Sequence, residues 1–222
     1  VSPDAINELV DDPDVLEIRK EKIYYLTLQD SVPLINADDV QNTNITGTKI
    51  NGTGITVCVI DSGIDYNHTD LGGEWGNRVL DGYDYVNNDP DPMDDNGHGT
   101  HVAGIIGANG GITGVAPGVK FVALKACNAT GACFETTVKA SIEWCTNNAT
   151  KYNISIISMS LGGGLYTEQT CPDTYQNETQ DAIDAGITII AAAGNDGSTT
   201  GIAEPACLSQ IISVGASNKN DI

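Results

Sequence analysis

GITVCVID, residues 54–61, is the stretch on which the fold turns. Apolar or β-branched residues run from Ile55 to Ile60 and end on an aspartate, Asp61. Runs of the same kind recur at VLDGYDYV (79–86), KFVALKA (120–126), ISIISMS (154–160), ITIIAAA (187–193) and IISVGA (211–216). Segments 98–108, 135–149 and 175–185, which lie between them, can be helical. A strand apolar at consecutive positions is buried on both faces. Such strands alternating with helices predict an α/β fold, a parallel β-sheet with helices on both faces. In such sheets functional groups gather beyond the carboxyl ends of the strands. Asp61, Ser160 and Asn195 all stand there, which points to an active site.

Upstream of Gly54 the pattern weakens. Ser2-Pro3 pairs an N-cap residue with a first-turn proline, and Ile6, Leu9 and Val10 give a short amphipathic helix ending at Asp11-Asp12-Pro13. Residues 15–28, VLEIRKEKIYYLTL, alternate roughly and read as extended. Residues 29–54 are polar, show no strong period and read as a surface arm and linker. The 222 residues, 40% of them hydrophobic, suit one large domain or one domain plus a short extra piece. No run approaches the ~18 apolar residues needed to span a bilayer. Thirty acidic residues against ten basic ones give a net charge of −20, which argues against nucleic acid and anionic membrane as partners. Cys127 and Cys133 bracket CNATGAC, a spacing that suits a small disulfide loop rather than a CxxC metal knuckle. Asn-x-Ser/Thr sequons at Asn44, Asn51, Asn67, Asn128, Asn148, Asn153 and Asn177 join the cysteines in favouring secretion.

Residues 94–107, DDNGHGTHVAGIIG, pass from an acidic, Gly/Pro/Asn-rich loop into a small-residue apolar run, as a loop does on entering a helix. His98 stands at the helix mouth between Gly97 and Gly99, which let the backbone approach another element closely. A histidine so placed can move protons near neutral pH. Asp61, closing an apolar strand, is costly to bury without a partner. It reads either as a helix N-cap or as the carboxylate that orients a catalytic histidine. Asn195, in AAAGNDG, reads either as a turn residue or as an amide donor to an oxyanion. Zinc on His98 and His101 is disfavoured: His68 is the only other histidine and no cysteine flanks the pair.

Four motifs carry a resemblance: VIDSGID around Asp61, DDNGHGTHVAG around His98, SMSLGG at 158–163 and AAAGND at 191–196. In order and placement they resemble the subtilisin-like serine proteases, the subtilases, over about residues 29–222. The resemblance implies that Asp61 orients the imidazole, that His98 is general base and acid, and that Asn195 donates to the oxyanion. It implies that Ser160, Leu161 and Gly162 pair with an extended polypeptide substrate and line the S1 pocket. Ala192, Ala193 and Gly194 become the opposite wall, Glu204-Pro205 holds a cis proline, and His101 is structural. Asp84, Asp89, Asp91, Asp94 and Asp95 crowd the loop before His98. Their spacing resembles a Ca²⁺ site of some heat-stable relatives, with Asp84, Asp89 and Asp91 as the metal ligands. A second family site would use Asp70 and the loop after the His98 helix, but that loop, ANGGIT, is shorter here.

Residues 1–28 resemble the last helix and strand of an inhibitory propeptide, which in this family lies in the cleft of its own enzyme. QDSVPLINAD (29–38) resembles a mature start, so the expected cut is at Leu28-Gln29. The expected domains are thus 1–28, the C-terminal part of a propeptide, and 29–222, the N-terminal portion of a catalytic domain. The family's nucleophile lies in a G-T-S-x-A motif that these residues lack. The expectation is a serine endopeptidase with an Asp-His-Ser triad, its serine beyond Ile222, and a fragment inactive alone. The alternative is an inactive pseudoprotease that binds extended peptides by β-augmentation. Leucine before the cut favours an apolar S1 pocket, whereas Asp196 and Glu204 favour a basic side chain, so the preference stays open. Cys58 reads as a buried free thiol. Cys171 and Cys207 flank the two S1 walls and are a candidate pair, and Cys145 has no assigned partner.

Overall fold

The computed structural model describes residues 28–45 and 47–217. The expected N-terminal helix, and all but the last residue of the 15–28 strand, lie outside the described residues. The stretch read as a linker is folded. It holds helices over Leu28–Leu34 and Ala37–Asn42, then the antiparallel pair β1 (Asn44–Ile45) and β2 (Thr48–Lys49). Helices of two turns or fewer are too short to show a period, yet Val32 and Ala37 are buried. The linker reading is corrected accordingly.

The centre of the molecule is a six-stranded parallel sheet. Its strands are β3 (Thr56–Asp61), β4 (Val79–Asp84), β5 (Lys120–Lys125), β6 (Ile154–Met159), β8 (Thr188–Ala192) and β10 (Ile212–Val214), in the order β10-β8-β6-β3-β5-β4. Each falls within an apolar run or one residue beyond it. A small antiparallel pair, β7 (Gly163–Tyr166) and β9 (Ile202–Glu204), follows the ends of β6 and β8. Glu204-Pro205 is cis, as the resemblance implied.

Alternation along β3 shows how the sheet is covered. Cys58 and Ile60 face a cluster with Val138, Ile142 and Cys145 of the Glu135–Asn147 helix and Ala182 of the Gln176–Asp184 helix. Val57 and Val59 face the other way, toward Val102 and Ala103 of the His98–Gly107 helix. Helices therefore cover both faces. At the far end of the His98–Gly107 helix, Arg78 donates to the carbonyls of Asp70, Gly107, Pro117 and Val119. Arg78, one residue before β4, thus ties that end of the helix to the loop leading into β5.

All six cysteines are paired. Cys127–Cys133 closes the expected loop, and Cys171 bonds Cys207. Cys58 is not a free thiol: it bonds Cys145. Cys58 faces the side of the sheet on which the Glu135–Asn147 helix lies, and Cys145 is on that helix's buried face, a tertiary proximity that spacing alone does not encode. Replacing Cys58 and Cys145 together by alanine is expected to lower unfolding stability by about 2–4 kcal/mol in denaturant melts. Peptide mapping without reductant is expected to recover the Cys58–Cys145 pair.

Candidate active site

β3 delivers Asp61 to the carboxyl edge of the sheet, fully buried. One of its oxygens, Oδ1, accepts from the Ser62 backbone N–H at 2.7 Å and faces His98 Nδ1 at 2.7 Å. The other, Oδ2, is buried and without a hydrogen-bond partner among the described residues. An ionised carboxylate can only accept, so a neutral imidazole in this contact carries its proton on Nδ1 and presents the Nε2 lone pair. The His98 side chain is 52% exposed, so that nitrogen can meet a ligand.

The close fit requires glycine at two places. A Cβ on Gly99 would stand 2.0 Å from the Gly63 carbonyl oxygen, so only glycine lets the helix mouth reach the turn after Asp61. Gly63 itself has φ +105° and would carry a Cβ 2.5 Å from the Pro92 carbonyl oxygen. Ser62 then bridges the two segments: its hydroxyl accepts from Gly99 N–H at 2.9 Å and donates to Asp94 Oδ1 at 2.8 Å.

Asp94 organises the entry to the helix. Its carboxylate also accepts from the backbone N–H groups of Asn96, Gly97 and Thr100 and from the Thr100 hydroxyl. Burial alone would raise this carboxyl, but the bonds from Thr100, Gly97 and Asn96 outweigh it and hold it below the usual carboxylate range. Asp95 is also engaged, 2.5 Å from Lys125 Nζ.

The cleft in front of His98 has a volume of about 620 Å³ and is lined by Asp61, His98, Ser160, Leu161, Gly162, Ala192, Gly194 and Asn195 among others. The sequence motifs thus converge on one cavity. Ala193 holds the wall instead: its N–H donates to Val214 O and its carbonyl accepts from Ala203 N–H. Asp196, Glu204 and Tyr175 line the same cleft. Burial pushes the Tyr175 hydroxyl up to about 12, helped by the negative field of Glu204, Glu135 and Glu178.

The acidic loop is less convergent. Asp84 accepts from Val86 N–H, Asn87 N–H and the Asn87 side-chain amide, Asp89 Oδ1 from Asp91 N–H, and Asp91 Oδ1 from Tyr66 OH and Met93 N–H. Among the described residues, no group of three or more His, Cys, Asp or Glu is placed to hold a metal. Asp70 binds the ANGGIT loop directly, accepting from Gly111 N–H and Ile112 N–H, which hold its carboxyl below the usual range.

Two residues that hold the site together are given no role in the motif reading. Ser62 stands inside VIDSGID, and its hydroxyl links the Asp61 turn to the mouth of the His98 helix. Lys125 is 1% exposed and donates to the carbonyls of Ser62 and Cys127 as well as to Asp95. A lysine closing an otherwise apolar strand, KFVALK, is the signal that marks it.

The sheet and the dyad define the class, and comparison with known proteins bears it out. The Subtilase family matches residues 52–222, and the chain belongs to that family. Alkaline serine exoprotease A of Vibrio alginolyticus is 32% identical over 237 residues, covering 100% of this chain and 41% of that protein. Subtilisin DY of Bacillus licheniformis is 38% identical over 202 residues, covering 87% of this chain and 66% of that protein. The chain spans roughly two-fifths to two-thirds of these relatives. A crystal structure of a cold-adapted subtilisin-like serine proteinase superposes with a TM-score of 0.66 at 32% identity, over 83% of this chain and 64% of that one.

The depressed carboxyls of Asp94 and Asp70 set the acid behaviour. Their donors hold the ionised form in the folded chain, so the stabilisation is complete above the unfolded pKa of about 4. It is lost as pH falls through the lower folded values. Melting temperatures are expected to drop from about pH 4 downward. Asp94→Asn is expected to lower the melting point at neutral pH and to flatten that acid slope.

Proposed function

We propose that residues 29–222 are the N-terminal portion of the catalytic domain of a secreted serine endopeptidase. The observation that carries the reading is the 2.7 Å contact between His98 Nδ1 and buried Asp61, with the opposite edge of the imidazole open to the cleft. In this reading His98 Nε2 takes the proton of a serine hydroxyl as that oxygen attacks a peptide carbonyl, then returns it to the leaving amine. Asp61 fixes the tautomer and stabilises the imidazolium. Asn195, exposed at the cleft, donates its side-chain amide to the tetrahedral oxyanion. The nucleophile belongs to a segment C-terminal to Ile222 and completes an Asp-His-Ser triad; residues 1–222 alone do not hydrolyse peptides. Polypeptide substrates lie extended between Ser160-Leu161-Gly162 and Ala192-Ala193-Gly194. Residues 1–28 are a propeptide tail that occupies the cleft until the cut at Leu28-Gln29. Three disulfides and the sequons support export.

Calcium is part of the proposal, on Asp84, Asp89 and Asp91. The fit of these residues is partial. Reciprocal backbone bonds between Asp84 and Asp89 bring two of them together, while the donors now on the Asp84 carboxylate would compete with a cation. No catalytic step runs through the metal. The melting temperature in Ca²⁺ is expected to exceed that in EDTA, and equal values would remove calcium from the account.

The complete gene product is expected to cleave casein and to label with a fluorophosphonate. His98→Ala is expected to abolish cleavage. In subtilisin itself, loss of the oxyanion asparagine costs a factor of about 10²–10³ in kcat, and a loss of that order is expected for Asn195→Ala. A complete protein that binds extended peptides without cutting them would replace this reading with the pseudoprotease. N-terminal sequencing of the active form is expected to begin at Gln29.

A further inference from the structure

Lys125 is the buried cation that the proposed chemistry does not use. Its ammonium has three N–H donors, and each has an acceptor: Ser62 O at 2.9 Å, Cys127 O at 3.2 Å and Asp95 Oδ1 at 2.5 Å. The three acceptors belong to three separate segments. Ser62 directly follows Asp61. Asp95 lies three residues before His98, in the turn that enters its helix. Cys127 opens the disulfide loop on the cleft rim. Lys125 is also the register partner of Asp61 across β3 and β5.

An apolar residue of similar volume would fill this space at lower desolvation cost, since a buried charge is expensive even when paired. What an ammonium adds is a fixed geometry among its acceptors. Other bonds join the same segments: Asp61 O accepts from the Ala126 and Cys127 N–H groups, and Asn96 donates to Ala129 O. Among the described residues, Lys125 alone donates to the Asp61 turn, the His98 turn and the cleft rim at one point.

We propose that Lys125 is a positioning residue that sets the Asp61–His98 separation by clamping the two turns that carry them. The inference rests on the proposed dyad chemistry, and its test is read partly without it. In the complete protein, Lys125→Met removes the clamp. Asp95→Asn, at a side chain 46% exposed, removes only the charged arm and spares the fold. Both variants are expected to lower kcat roughly 10- to 100-fold, as small misplacements of catalytic groups do, with KM unchanged within about twofold. Both are expected to shift or broaden the low-field proton resonance of the His98 Nδ1–H.

A folded variant with kcat within about twofold of the parent and an unmoved resonance would overturn the proposal. So would a fall in kcat with the resonance unmoved, because the effect would then run through another group. If Lys125→Met fails to fold by circular dichroism, Asp95→Asn decides alone. If the parent protein hydrolyses nothing, the functional reading fails, and the resonance still decides whether Lys125 positions His98.

Discussion

The hydrogen bond between His98 Nδ1 and Asp61 Oδ1 is the contact on which the rest of the structure depends. It joins a strand end to a helix mouth, and a burial cost falls on each side of it. Asp61 gives up solvent at the edge of the sheet, which a carboxylate does cheaply only when donors replace water. The Ser62 N–H and the imidazole supply them at one oxygen. On the helix side, the backbone must come close enough to touch the turn after Asp61, and Gly99 permits this. Asp94 gathers the free N–H groups of the helix entry and bonds Ser62 as well. The orientation of one ring thus follows from the sheet, a glycine contact and a capping carboxylate acting together.

The distribution of charge follows the same economy. The chain is strongly acidic, yet several of its buried or half-buried acids are held by their own backbone donors rather than pooled. Asp94 binds helix N–H groups, Asp84 binds its own turn, and Asp70 binds the loop after the helix. The fully buried lysine faces the same edge as the dyad.

Much of this was legible in the residues. Continuous β-branched runs such as ITVCVI announce strands buried on both faces, and all six central strands fall at or within one residue of those runs. The motifs around Asp61, His98, Ser160 and Asn195 marked the ends that meet at the cleft. The rest depended on tertiary contacts without a local period. The Leu28–Leu34 and Ala37–Asn42 helices are too short to show a periodicity. Cys58 looked like a core thiol because its partner lies 87 residues away. Asp84, Asp89 and Asp91 read as metal ligands because acidic spacing alone does not reveal which carboxylates already hold backbone donors. The roles of Ser62 and Lys125 emerge only when β3, β5 and the helix mouth are assembled.

The central claim is that Asp61 holds His98 in the tautomer whose Nε2 is free to accept a proton. Nitrogen-15 spectra of histidine-labelled protein, recorded at neutral pH, read this directly. The account predicts a protonated Nδ1 and an unprotonated Nε2 for His98 in the parent, with that pattern lost in Asp61→Ala. A parent in which Nε2 carries the proton, or one whose pattern survives loss of the carboxylate, would contradict it.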